Sequence, residues 1–129
     1  MRNIVILGST GSIGVQALEV VASHPQDFRV VGLAAGSRNI SKLADQAKKF
    51  DVPIIATTGA GDELKNSLSG VEVIDGQNSA STIAAISCDV VLNGITGSIG
   101  LGPTLAALEA GNQVALANKE SLVAGGDLV

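Results

Sequence analysis

A chain of 129 residues with a formal net charge of −4 can enclose one core, which must be aliphatic because there are two Phe and no Tyr or Trp. Lys and Arg are scattered and form no basic stripe, which argues against nucleic acid as a partner. The single Cys88 excludes an internal disulfide and reads as packing material. The N-terminal apolar run Ile4 to Leu7 is too short for a signal peptide or membrane span, so no membrane contact and a cytosolic compartment are expected.

Strands are predicted at Asn3 to Leu7, Arg29 to Ala34, Pro53 to Thr57, Val71 to Asp75, Asp89 to Asn93 and Gln113 to Ala117. Helices fit between them, at Ser12 to Ser23, Ser41 to Phe50, Gly61 to Leu68, Ser79 to Ile86 and Pro103 to Glu109. The first helix carries Ile13, Ala17, Val20 and Val21 on one face, His24 before Pro25 marks its end, and Pro103 suits a first helical position. Strand and helix in turn imply an α/β domain, a parallel sheet covered on both faces. We read a single doubly wound, Rossmann-type domain over residues 1–129, because no Pro-rich, Ser-rich or highly charged linker interrupts it.

Gly8 Ser9 Thr10 Gly11 Ser12 Ile13 Gly14 follows the first strand and opens the first helix. A first glycine permits the tight reversal, a second lets bare backbone approach a pyrophosphate, and a third lets the helix pack closely. The anion would then sit against free helix N–H groups. The spacing is Gly-x-x-Gly-x-x-Gly, a departure from Gly-x-Gly-x-x-Gly, and a plain strand-to-helix turn could use the same residues. The pattern recurs as Gly94-Ile-Thr-Gly-Ser-Ile-Gly100 after the fifth strand. If that strand lies beside the first, the two loops face each other at the topological switch point; otherwise both are ordinary turns.

An NAD-selective site usually carries Asp or Glu about 20 residues beyond the glycine loop, to accept the ribose hydroxyls. Here the second strand runs into Gly36 Ser37 Arg38 Asn39, with no carboxylate between Asp27 and Asp45. Arg38 could grip a 2′-phosphate, with Ser37 and Asn39 adding hydrogen bonds, so NADPH is favoured over NADH. Asn118, Lys119 and Glu120 follow the sixth strand, where ligands of open parallel sheets bind. Lys119 could pin an anionic substrate and its neighbours could touch the nicotinamide half. Equally, Asn118 could cap a helix and Glu120 could favour its dipole.

The chain resembles the N-terminal NADPH-binding domain of the 1-deoxy-D-xylulose 5-phosphate reductoisomerases. The likeness is carried by Ile6-Leu-Gly-Ser-Thr-Gly-Ser-Ile-Gly14, Phe28-Arg-Val-Val-Gly-Leu-Ala-Ala-Gly36, Pro103-Thr-Leu-Ala-Ala-Leu108 and, most specifically, Leu116-Ala-Asn-Lys-Glu-Ser-Leu-Val123. It implies that Gly8, Thr10, Gly11, Ser12, Ile13, Gly36, Ser37, Arg38, Asn39, Asn118 and Glu120 serve the cofactor, and that Lys119 contacts the sugar-phosphate substrate. Ser37-Arg38-Asn39 is one residue longer than the commoner Gly-Lys-Asn form, which leaves open the partner of the 2′-phosphate.

By the same resemblance the parent enzyme is a homodimer in the bacterial cytoplasm or plastid stroma. It converts 1-deoxy-D-xylulose 5-phosphate to 2-C-methyl-D-erythritol 4-phosphate, by skeletal rearrangement and NADPH reduction, in non-mevalonate isoprenoid synthesis. Its magnesium or manganese ligands, in an Asp-Ser-Glu motif, and its catalytic and C-terminal domains are expected beyond Val129, so the chain reads as a domain fragment, inactive by itself. A short-chain dehydrogenase is excluded, since its Tyr-x-x-x-Lys proton donor needs a tyrosine that is absent. A non-catalytic NADP-binding sensor or regulatory module remains the alternative.

Overall fold

Each predicted strand is short and apolar, and six such segments pair into one parallel sheet. A computed structural model describes residues 2–95 and 101–116. The strands are β1 (Arg2–Leu7), β2 (Phe28–Ala35), β3 (Ile54–Thr57), β4 (Glu72–Asp75), β5 (Val90–Asn93) and β6 (Gln113–Leu116), and the helices between them are α1 (Ser12–Ser23), α2 (Ile40–Lys49), α3 (Gly61–Ser67), α4 (Ser79–Ala84) and α5 (Leu101–Glu109).

The strand order is β4-β3-β2-β1-β5-β6. The crossovers α1 to α3 carry the chain outward from β1 to β4 on one face. The chain then returns to the other side of β1, placing the later helices on the opposite face. Alternating side chains divide accordingly. Ile6, Leu33 and Ile55 pack with Leu18, Val21, Leu43, Ala47 and Leu64 of α1–α3. Val5, Leu7, Ala34, Ala56 and Val91 pack with Ile83, Ala84 and Ala107 of α4 and α5. This is the doubly wound fold expected from the alternation, with the winding reversing between β2 and β5, the two neighbours of β1.

Two local expectations are corrected. The buried stripe of α1 is Gly14, Leu18 and Val21, whereas Val20 is 54% exposed. The helix lies close over the glycine loop at Gly14, and that contact sets its rotation. α5 begins at Leu101, so Pro103 occupies its third position rather than its first. Proline is tolerated there because first-turn N–H groups have no intrahelical acceptor. Between β2 and α2, Ser37–Asn39 form a 3-10 turn that leads directly into α2.

Candidate functional site

Strand β1 ends in Leu7, and the chain reverses at Gly8, whose φ of +76° suits glycine far better than any L side chain. The N–H groups of Gly8 and Ser9 both donate to the carbonyl oxygen of Ala34 in β2, at 2.8 and 3.0 Å, and Gly11 N–H donates to Gly8 O at 3.2 Å. These bonds fix the loop as a compact turn. A Cβ at Gly14 would collide with the Gly8 carbonyl oxygen and Ser9 Cα, so α1 can pack on the loop only through glycine.

Gly11 differs from both. Its backbone is extended, and the nearest atom to a Cβ built there is Gly8 O at 3.5 Å, an ordinary contact. The fold therefore does not itself require glycine at 11. Gly11 is the N-cap of α1, which has no side-chain cap, so the first-turn N–H groups of Ser12 and Ile13 are available to an external acceptor. Gly11 and Ser12 are exposed, and Thr10 and Ile13 are half-buried.

The second glycine loop starts against the first. β5 pairs with β1 with Asn93 opposite Leu7, so Gly94 comes directly beside Gly8. Gly94 N–H donates to Leu7 O at 2.9 Å, and a Cβ at Gly8 would lie 3.1 Å from Gly94 C. The two loops thus touch backbone to backbone at their first residues. Buried Asn93 braces the start of the second, its Oδ1 accepting from Ile95 N–H at 2.9 Å. Thr96 to Gly100 lie outside the described residues.

On the other flank of β1, strand β2 delivers Gly36, Ser37, Arg38 and Asn39, all exposed, to the same edge of the sheet. A Cβ at Gly59 would lie 3.4 Å from Ser37 Cβ, so the turn after β3, held by Thr57 Oγ1 donating to Gly59 O at 2.7 Å, abuts this segment. Ala34, which ties down the glycine loop, is two residues before Gly36. Loop and 3-10 turn are therefore coupled through β2.

Two residues at this site escaped the sequence reading. Lys42 Nζ donates to Thr10 O at 3.1 Å, and Gln46 Nε2 donates to Ser9 O at 2.9 Å, both reaching from α2 to the glycine loop. A signal existed. Gln46 stands on the stripe of α2 otherwise formed by Leu43, Ala44 and Ala47, where a polar side chain needs a partner. Asn118, Lys119 and Glu120 lie outside the described residues, just after β6, whose Leu116 pairs with Asn93.

Elsewhere the described residues hold little chemistry. No group of three or more His, Cys, Asp or Glu converges among them. Burial, with Asp89 adding to it, pushes the Cys88 thiol upward, which keeps it protonated near neutrality and unsuited to nucleophilic work. No helix among them is long and apolar enough to cross a membrane.

Residues 4–126 match the family model described as 1-deoxy-D-xylulose 5-phosphate reductoisomerase. The chain belongs to that family. Reductoisomerases from Beutenbergia cavernae and Leifsonia xyli subsp. xyli are 55% and 56% identical, over 99% and 100% of this chain and 34% and 31% of theirs. The Zymomonas mobilis reductoisomerase solved in complex with NADPH superposes with a TM-score of 0.88 at 38% identity, covering 98% of this chain and 35% of that one. A reductoisomerase solved with NADPH, fosmidomycin and magnesium gives 0.89 at 34% identity, covering 98% and 32%. The chain thus spans about a third of the length of its reductoisomerase relatives.

Proposed function

We propose that this chain is the NADPH-binding domain of a 1-deoxy-D-xylulose 5-phosphate reductoisomerase, the enzyme that rearranges 1-deoxy-D-xylulose 5-phosphate and reduces the product to 2-C-methyl-D-erythritol 4-phosphate. The observation that carries the reading is Gly11. It is a glycine that the fold does not require, at the uncapped N-terminus of α1, where a Cβ would stand in the path of an approaching anion. The family's solved complex with NADPH supports the same assignment.

In this reading the Thr10, Ser12 and Ile13 N–H groups receive the pyrophosphate, with Gly8, Gly11 and Gly36 giving close backbone approach. Ser37, Arg38 and Asn39 take the 2′-phosphate with charge and hydroxyl or amide donors. Asn118 and Glu120 orient the nicotinamide ribose, and Lys119 holds the substrate phosphate. Bound NADPH supplies a hydride, and these residues set where its nicotinamide stands relative to a carbonyl carbon. The magnesium in the family's solved complex has no cluster of three or more His, Cys, Asp or Glu to hold it among the described residues.

The whole protein is read as a cytoplasmic homodimer that binds neither nucleic acid nor membrane. Bacterial relatives and the net charge of −4 support the compartment and the absence of nucleic acid. Calorimetric titration tests the cofactor assignment. NADPH is expected to bind more tightly than NADH, with the difference narrowing in high salt because the 2′-phosphate contact is exposed. Equal affinities, or binding of neither, would overturn it.

A further inference from the structure

We propose that Lys42 and Gln46 of α2 form a latch that sets the glycine loop in its nucleotide-receiving conformation, and so act as positioning residues for both NADPH and NADH. The proposal rests on the dinucleotide reading above. Its residues stand four apart on α2, on the same side of the helix, and donate to consecutive loop carbonyls, Lys42 Nζ to Thr10 O at 3.1 Å and Gln46 Nε2 to Ser9 O at 2.9 Å.

Directionality follows from peptide planarity. When Ser9 C=O is drawn toward Gln46, the N–H of Thr10 in the same trans peptide points away from α2. When Thr10 C=O is drawn toward Lys42, the next N–H, that of Gly11, is turned to its bond with Gly8 O. The latch therefore orients one N–H outward and locks the turn that places the first-turn donors of α1. The Lys42 ammonium also sets a positive charge beneath a loop that must receive a pyrophosphate, and its partial burial limits screening by solvent.

Fold stability alone does not account for Gln46. It is 9% exposed, its Oε1 is buried with no partner among the described residues, and so is the Oγ of fully buried Ser9 beside it. A half-satisfied amide is a poor core residue, and an apolar side chain on this stripe would avoid the desolvation of that oxygen. What an apolar side chain cannot do is hold the Ser9 carbonyl.

The purified protein is titrated calorimetrically with NADPH and with NADH, as wild type and as Lys42→Met, Lys42→Arg, Gln46→Leu and the double variant Lys42→Met with Gln46→Leu. Thermal midpoints of the unliganded proteins are measured alongside. Positioning predicts that Lys42→Met and Gln46→Leu each raise both dissociation constants by about five- to ten-fold, leaving the NADPH/NADH ratio unchanged, and that Lys42→Arg restores binding. A common loss without a matching fall in midpoint separates positioning from support of the fold. If Gln46→Leu does not fold, Lys42→Met decides, because that side chain is half-exposed.

Unchanged affinities for both nucleotides would overturn the latch. Loss confined to NADPH would overturn it in favour of a direct 2′-phosphate contact by Lys42. A wild type that binds neither nucleotide would overturn the dinucleotide reading and the latch together, and is distinguished by the first titration.

Discussion

The three glycines of the first loop serve three physical demands. Gly8 needs a positive φ, Gly14 admits the backbone of its own loop where a Cβ would sit, and Gly11 meets neither constraint. Gly14→Ala should cost about 3 kcal/mol or more, because backbone must move to relieve the collision, and this is read as a lowered thermal midpoint. Gly11→Val should leave the midpoint within a few degrees and abolish NADPH binding. Normal binding by a folded Gly11→Val protein would reduce Gly11 to a turn residue. Arg38 belongs to the same scale. Its exposed position makes Arg38→Ala harmless to the fold, and the variant should lose most of the preference for NADPH while keeping its affinity for NADH. An unchanged ratio would move the contact to Ser37 or Asn39.

Among the elements, junctions rather than interiors carry the unusual contacts. Asn112, 7% exposed and just before β6, donates from Nδ2 to Ala84 O at 2.9 Å and Ile86 O at 2.8 Å, and accepts from Cys88 N–H at 3.4 Å. It ties the end of α4 and the approach to β5 to the chain entering β6, a stretch without regular backbone pairing. Asn112→Ala should lower stability by about 2–3 kcal/mol through the carbonyls it leaves unpaired. Nucleotide affinity measured below the lowered midpoint should not change, since these contacts lie at the opposite end of β5 from Gly94. The element boundaries were legible from apolar runs and glycines, most of them to within one or two residues. The rotation of α1 and the 3-10 turn at Ser37–Asn39 were not. Both depend on what each element packs against, the loop at Gly14 in one case and the Gly59 turn in the other.

For the molecule as a whole, the sheet places the ends of β1, β2, β5 and β6 along one edge, with the glycine loop near the middle. Such an edge seats a dinucleotide, but reduction also requires nicotinamide and carbonyl carbon held in near-attack geometry. Losing that arrangement forfeits about 7–11 kcal/mol of barrier lowering where it is fully developed. A chain spanning about a third of its relatives' length is therefore expected to bind NADPH saturably without oxidising it. The check is nicotinamide absorbance in a mixture of the purified chain, NADPH, 1-deoxy-D-xylulose 5-phosphate and magnesium. Oxidation above background would show that this chain already holds the complete machinery.

Sequence by itself determined the alternation of strand and helix, the parallel doubly wound class, the position of the glycine loop and the missing acid after β2. These are properties of short segments, legible in local periodicity and in residues with restricted or permissive backbones. The Gly-x-x-Gly-x-x-Gly spacing alone could not say which glycine the fold needs and which it leaves open. Nor could it show that the second glycine loop begins in backbone contact with the first, or that Lys42 and Gln46 reach 32 and 37 residues back to hold it. Those relations exist only once β1 is paired between β2 and β5 and α2 is laid beside the loop, because the contacts join residues remote in the chain.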